Sequence, residues 1–222
     1  MSLSHDSPRF RELLKRWHHR FLPSYERELE RAVGDCKTLI DLGCGYPSPI
    51  RSFSSRLHTV GVDAFASDLE RSRAEGIHND YREMDVLKVG DHFAKDSFEC
   101  ALASDLIEHL TKEQGQELIE MMEALARRRV IIFTPNGYLP QTAHSGNPWQ
   151  EHKSGWSVSE MREAGYRVIG INGWKPLRTE RARIRFKPAF FWRLVSDLTQ
   201  LFVRRRPESA FQILCVKDLA RD

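Results

Sequence analysis

Five positions near the start of the chain have the types and spacing for nucleotide chemistry: Asp41, Gly43 and Gly45, then Asp63, then Asp85. The apolar run Thr38 to Leu42 leads straight into Gly43-Cys44-Gly45. That pattern predicts a strand ending in a turn, where the missing Cβ atoms let a ligand approach the backbone. Asp63 lies 22 residues after Asp41, and a carboxylate at that distance can accept both hydroxyls of a ribose. Asp85 closes a third strand region, where an acid can accept from an adenine amino group. All three acids could instead do no more than cap helices. Tyr46, Pro47, Ser48 and Pro49 follow the glycines, so GxGxxG is absent and a pyrophosphate cradle is not expected.

Two histidines could carry a proton-transfer step. His109, in Asp105-Leu106-Ile107-Glu108-His109-Leu110, follows a fourth apolar run and is the first candidate base. It could equally be a structural histidine that orients its loop. The second candidate, His152, sits in the long segment 137–156 with Asn136, His144, Trp149, Lys153 and Trp156 nearby. Long loops at this edge of a sheet often contact substrate. The two tryptophans could wall a pocket or simply anchor the loop. His109 and His152 share no ligand spacing, so no metal site is expected.

The elements that must position these residues follow from periodicity. Strands are expected at 38–42, 58–65, 80–86, 98–105, 127–137, 167–171 and 210–218. Leu13, Leu14, Trp17 and Phe21 predict helix within 9–33, broken at Pro23. Thr111 with Gln114 and Ser157 with Glu160 match capping boxes. Leu118, Met121, Met122 and Leu125 form the stripe behind the first box, and Gly165 ends the helix behind the second. Strands alternating with helices indicate an α/β fold, a doubly wound and mainly parallel sheet with helices on both faces.

In order, DLGCG, VGVDA, MDV, ASDLIEHL and IIFTPNG resemble the class I S-adenosylmethionine-dependent methyltransferases, in their small ubiquinone-biosynthesis-type branch. The resemblance spans roughly 36–172. It implies a Rossmann-like seven-stranded sheet with a reversed last strand, and S-adenosyl-L-methionine as cofactor. It implies that Asp41, Gly43, Cys44 and Gly45 surround the methionine part and that Asp63 holds the ribose. Asp85 and Val86 would flank the adenine, and Ser104 and Asp105 would close the site. Pro47 replaces the family's third glycine, which alters the expected loop shape. The long loop resembles the acceptor-side lid of related enzymes. One domain over 1–222 is expected: N-terminal helices to 35, a cofactor-binding core at 36–172, a basic helical insertion at 173–208 and a last strand at 209–218.

Bulk properties narrow the rest. The chain has 222 residues, 41% hydrophobic and 29% charged, an ordinary globular balance. Its four cysteines are scattered, which argues against disulfides or structural zinc and for a reducing cytoplasm. The segment MSLSHDSPRFRELLKRWHHR lacks the apolar core of a signal peptide. From Lys175 to Arg206 ten Lys/Arg face two acids, a local +8 against +3 for the whole chain. Within this segment, 189–203 carries Phe190, Leu194, Leu198 and Phe202 on one stripe. Cationic flanks around such a helix suit a membrane interface or a lipid-linked acceptor, and a helix packed on the sheet suits them too. Nucleic acid is not the expected partner, since no groove-reading or RNA-binding signature is present. The function that the resemblance implies is methyl transfer, expected at an oxygen or nitrogen of a small, lipid-like or glycan-type acceptor. The alternative is a non-catalytic cofactor-binding module recruited through the basic helix.

Overall fold

A computed structural model describes residues 24–141, 151–180 and 182–219. The expected helix at 9–23 lies outside them, as do His144, Trp149 and Arg181. Seven strands form one sheet: β1 (Thr38–Leu42), β2 (His58–Asp63), β3 (Asp80–Glu83), β4 (Phe98–Ser104), β5 (Ala126–Pro135), β6 (Arg167–Trp174) and β7 (Ala210–Asp218). Their order is β3-β2-β1-β4-β5-β7-β6. β7 alone runs against its neighbours β5 and β6. The chain order reverses between β1 and β4, and a ligand crevice opens at such a switch point, beyond the carboxyl ends of the strands.

The period-2 alternation of the strands divides the core. Ile40, Leu42, Ala101, Ala103, Val130 and Ile132 face one layer. It is covered by helix α3 (Lys112–Leu125), whose Leu118, Ile119, Met122 and Leu125 are all buried. Each such side chain contributes about 1.5–3 kcal/mol by leaving water. Leu39, Cys100, Leu102, Ile131 and Phe133 face the other layer, covered by Leu29 and Val33 of helix α1 (Tyr25–Val33). Both capping boxes form as expected: Thr111 with Gln114 at α3, and Ser157 with Glu160 at helix α4 (Val158–Glu163).

Five strands differ in their limits from the sequence reading, β2, β4 and β5 by only one or two residues at an end. β3 stops at Glu83, because Asp85 caps a 3-10 turn over Val86–Asp91 by accepting from the Leu87 N–H. β6 runs on to Trp174 with a register shift after Ile171. Helix α2 (Ala66–Ala74) buries only Leu69 and Ser72, too thin a stripe for periodicity to expose. No α-helix follows β1; turns and a short 3-10 segment, Ser54–Arg56, fill the space before β2.

Helix α5 (Ala189–Val203) packs on β6 with its polar side inward. Ser196, Gln200 and Val203 are buried, while Phe190, Phe191, Leu194, Leu198, Leu201 and Phe202 are exposed. The reason is that β6 is an edge strand with unpaired backbone groups, which need partners. Gln200 supplies them, donating to the Gly170 carbonyl at 2.8 Å and accepting from the Gly173 N–H at 2.9 Å. The close approach requires glycine, since a Cβ at Gly170 would stand 2.1 Å from the Val203 carbonyl oxygen.

Candidate active site

The turn after β1 is held by its own acid. Gly43 and Gly45 have φ of 65° and 52°, a region glycine enters without penalty. The Asp63 carboxylate accepts from the Gly45 N–H at 2.9 Å and the Phe65 N–H at 2.8 Å. It therefore ties the ends of β1 and β2 together at the switch point.

Above this turn lies a cavity of about 170 Å³ lined by Gly43, Gly45, Asp63, Asp85, Val86 and Asp105, with Ala64, Asp68, Leu106, His109 and Leu110 completing the wall. Four carboxyl groups line it and no lysine or arginine does. Burial, and then the Asp63 charge, raise Asp68 above the usual carboxylate range. Such a wall favours a ligand with positive charge and a sugar hydroxyl pair, and repels a pyrophosphate. A sulfonium nucleoside with an amino group on its tail fits those acceptors better than a dinucleotide does.

Sequence reasoning placed Asp41, Cys44 and Ser104 at this cavity, and the structure places all three elsewhere. Asp41 points to the other face of β1 because strand side chains alternate. It is fully buried, accepts from the Ser48 hydroxyl at 2.6 Å and lies 3.6 Å from the His78 Nε2. Burial pushes its carboxyl up to about 7 and holds the His78 imidazole down at about 4. Cys44 is buried, with its N–H donated to Val62. Ser104 bonds the Tyr25 hydroxyl at 2.7 Å, and Tyr25 stacks on Phe133 at 3.8 Å. Asp41 and Cys44 brace the turn from behind, and Ser104 anchors Tyr25 of α1.

A second cavity of about 670 Å³ opens beside the first. Pro135, Tyr138, Leu139 and Phe211 give it apolar walls, while Glu108, His152 and Arg183 supply charge or lone pairs. The two cavities have two residues in common, Asp105 and His109. Asp105 adopts φ of 47°, costly for a residue with a Cβ, and such strain clusters at functional sites. Its N–H is fixed by the Phe133 carbonyl and its carboxylate by the Gln212 amide at 2.9 Å. It opens onto both cavities, yet the surrounding protein pushes its carboxyl up to about 7.

The two histidines, scattered in sequence, meet here. Their rings lie 4.8 Å apart, edge to face. His109 Nδ1 is 3.1 Å from the Glu151 carbonyl and His152 Nδ1 is 2.6 Å from the Leu139 carbonyl. A carbonyl only accepts, so each Nδ1 carries the proton and each Nε2 keeps its lone pair. Burial holds His109 down at about 4 and lowers His152 too, so both are neutral near pH 7.

Glu108, which sequence reasoning passed over, is buried against the same cavity. It accepts from the Thr134 hydroxyl at 2.9 Å, and burial pushes its carboxyl well up. No periodic pattern distinguishes it from a surface glutamate. Only the inward turn of Ile107–His109 reveals its role.

Trp156 lines neither of these two cavities. Its ring lies under α3 against Gly115, and its N–H donates to the Ser154 hydroxyl at 3.1 Å. Asn136 is likewise an anchor, donating to the carbonyls of Pro207, Glu208 and Ala210.

Comparisons with known proteins agree with this geometry. The family described as a methyltransferase domain matches residues 40–133. No curated protein matches the chain in sequence. Among solved structures, an S-adenosylmethionine-dependent methyltransferase from Archaeoglobus fulgidus aligns at TM-score 0.58 and 15% identity, over 92% of this chain and 94% of that one. A methyltransferase from Mesorhizobium loti aligns at 0.54 and 16%, over 87% and 95%. Geranyl diphosphate C-methyltransferase from Streptomyces coelicolor A3(2) aligns at 0.59 and 15%, over 98% and 88%. Residues 40–133 thus match the methyltransferase-domain family, and the seven-stranded sheet with its reversed strand has the fold of S-adenosylmethionine-dependent methyltransferases.

Proposed function

We propose that the enzyme methylates an oxygen or nitrogen of a small or lipid-like acceptor held in the 670 Å³ cavity. The observation that carries this reading is the wall of Asp105 and His109 that the cavity shares with the cofactor cleft. A volume of several hundred Å³ suits a small molecule. Under this reading Asp63 receives the ribose hydroxyls, and Asp85 and Val86 flank the adenine. Asp105 faces the positive charge, with Gly43 and Gly45 leaving room for the methionine part.

S-Adenosylmethionine, when bound, supplies an electrophilic methyl group on a sulfonium. The protein's own work is to hold the acceptor in line with it and to exclude water. An O–H or N–H acceptor must also lose a proton. His109 presents an unprotonated nitrogen at the shared wall, and His152 stands behind it on the acceptor side. His109 is the proposed base and His152 its neighbour against the acceptor.

Peripheral membrane contact belongs to the same reading. Among the described residues no helix is long and apolar enough to cross a membrane. Helix α5, however, turns six large apolar side chains to solvent. Arg193, Arg205 and Arg206 lie along or beside it, and Arg183 of the same basic segment lines the acceptor cavity. Apolar side chains among cations fit an anionic lipid surface.

The deciding experiment supplies S-adenosylmethionine with fractionated metabolite and lipid extracts and measures S-adenosylhomocysteine formed. Turnover with one fraction, and a methyl on oxygen or nitrogen by NMR of the product, supports the reading. Tight cofactor binding with no turnover in any fraction would favour a recruiting module instead.

A further inference from the structure

The acceptor cavity contains a cluster, Glu108 with the two histidines, of which proton transfer by His109 uses only one member. We infer that Glu108, His109 and His152 hold a divalent transition-metal ion, which ligates the acceptor through an oxygen. The inference rests on the methyltransferase reading for the acceptor but not for the ion itself.

One potential ligand atom from each of the three residues lies within 4.8 Å of the other two. Metal bonds of roughly 2.0–2.2 Å place neighbouring ligand atoms about 3–3.5 Å apart. Side-chain movements of about an ångström or less at each ligand therefore close the site. The first independent sign is Glu108 Oε1. It is buried, 2% exposed as a residue, and has no hydrogen-bond partner, although Oε2 is held by Thr134. A buried carboxylate oxygen without a donor is costly, and a cation relieves it.

The second sign is the orientation of the imidazoles. Metal-binding histidines donate their remote N–H to a carbonyl or carboxylate, which fixes the tautomer and aims the lone pair. His109 and His152 each do so, to Glu151 and Leu139. The backbone locks the parts together, since the Glu108 carbonyl accepts from the N–H groups of Lys153 and Ser154. His152 is thus pinned beside Glu108, 44 residues away in sequence.

Two imidazoles and a carboxylate suit manganese, iron, cobalt, nickel or zinc better than magnesium or calcium, which prefer all-oxygen sites. Three protein ligands leave positions open for water or a substrate atom. A hydroxyl bound there loses its proton to water more readily than a free one. The sulfonium–methyl bond then breaks as the oxygen–methyl bond forms, leaving a thioether and a methyl ether, with the proton in solvent. With the ion bound, the lone pairs of both histidines are engaged on the metal, so the bound hydroxyl gives its proton to water and His109 acts as ligand in place of the base role given to it above. The acceptor atom is oxygen rather than nitrogen.

The test uses the full chain after chelator treatment. Cobalt(II) is titrated by calorimetry and by its visible absorption, and S-adenosylhomocysteine is titrated into the same samples. One cobalt per chain is expected, with affinity at least about tenfold weaker in His109→Asn and His152→Asn. His152 lies outside the cofactor cavity, so His152→Asn should keep S-adenosylhomocysteine affinity within about twofold. Folding of both variants is checked by near-ultraviolet circular dichroism. Folded wild-type protein that takes up no cobalt overturns the site, and so do variants that bind it as well as wild type. Cobalt uptake without S-adenosylhomocysteine binding would support the ion and overturn the cofactor reading alone.

Discussion

Gly45 donates its backbone N–H to the Asp63 carboxylate at 2.9 Å, so the acid at the end of β2 holds the turn at the end of β1. The same carboxylate accepts from Phe65 and lines the cofactor cavity. A residue with both duties cannot be removed without cost to the fold. Asp63→Ala should weaken S-adenosylhomocysteine binding more than about tenfold, and leaving two N–H groups unpaired should lower unfolding free energy by about 1–3 kcal/mol. Asp63→Asn, which keeps one acceptor oxygen, should lose less of both. Calorimetry and urea denaturation on the two variants check this. Unchanged cofactor affinity in Asp63→Ala would remove the ribose assignment.

Asp105 sets a pH dependence whose sign follows from its environment. The protein packed around it pushes its carboxyl up to about 7, although the residue stays open to both cavities, so it is largely protonated at pH 6 and ionised at pH 8. S-Adenosylmethionine carries a sulfonium charge that S-adenosylhomocysteine lacks, and the ionised form attracts that charge. Affinity for S-adenosylmethionine should therefore rise between pH 6 and pH 8 by several-fold more than affinity for S-adenosylhomocysteine. Asp105→Asn should flatten the difference. Parallel profiles for the two ligands in wild type would show that Asp105 does not face the sulfonium.

The turn after β1 and the strand ends around the smaller cavity were readable because their signals are local. Glycines at positive φ, acids at strand ends and capping boxes act within a few residues, and β1, α5 and β7 match their expected limits. The acid at β1 misled, because a strand sends alternate residues to opposite faces and Asp41 falls on the face with Leu39. The larger cavity was not readable, since Glu108, His109 and His152 meet through the pairing of 108 with 153 and 154. The apolar stripe of α5 was visible, but its outward direction depends on the unpaired edge of β6.

That outward stripe separates two kinds of substitution. Phe190→Gln with Leu194→Gln and Leu198→Gln changes exposed side chains only, so stability should stay within about 0.5 kcal/mol per site. The triple variant should lose sedimentation with vesicles of anionic phospholipid. Gln200→Leu instead leaves the Gly170 carbonyl and Gly173 N–H without partners, and should cost about 1–3 kcal/mol. Equal sedimentation of wild type and triple variant would dismiss the membrane contact. A large stability loss in the triple variant would show that another part of the chain covers the stripe.

Gly115 couples the body of the fold to the acceptor site. A Cβ there would stand 2.4 Å from the Trp156 ring. The ring cannot give way freely, because its N–H is tied to the Ser154 hydroxyl, which in turn donates to the Ile107 carbonyl. Ser154 and Lys153 also bond the Glu108 carbonyl. Gly115→Ala should thus cost about 1–3 kcal/mol by overpacking, and push 152–156 away from Glu108 and His109. The expected result is a fall in turnover larger than any change in S-adenosylhomocysteine affinity, since the displaced segment lines the acceptor cavity through His152 and not the cofactor cleft. Thermal melts, calorimetry and methyl-transfer rates on one preparation resolve the three quantities. Equal losses of turnover and cofactor affinity would mean that the two cavities do not respond separately to the 152–156 segment.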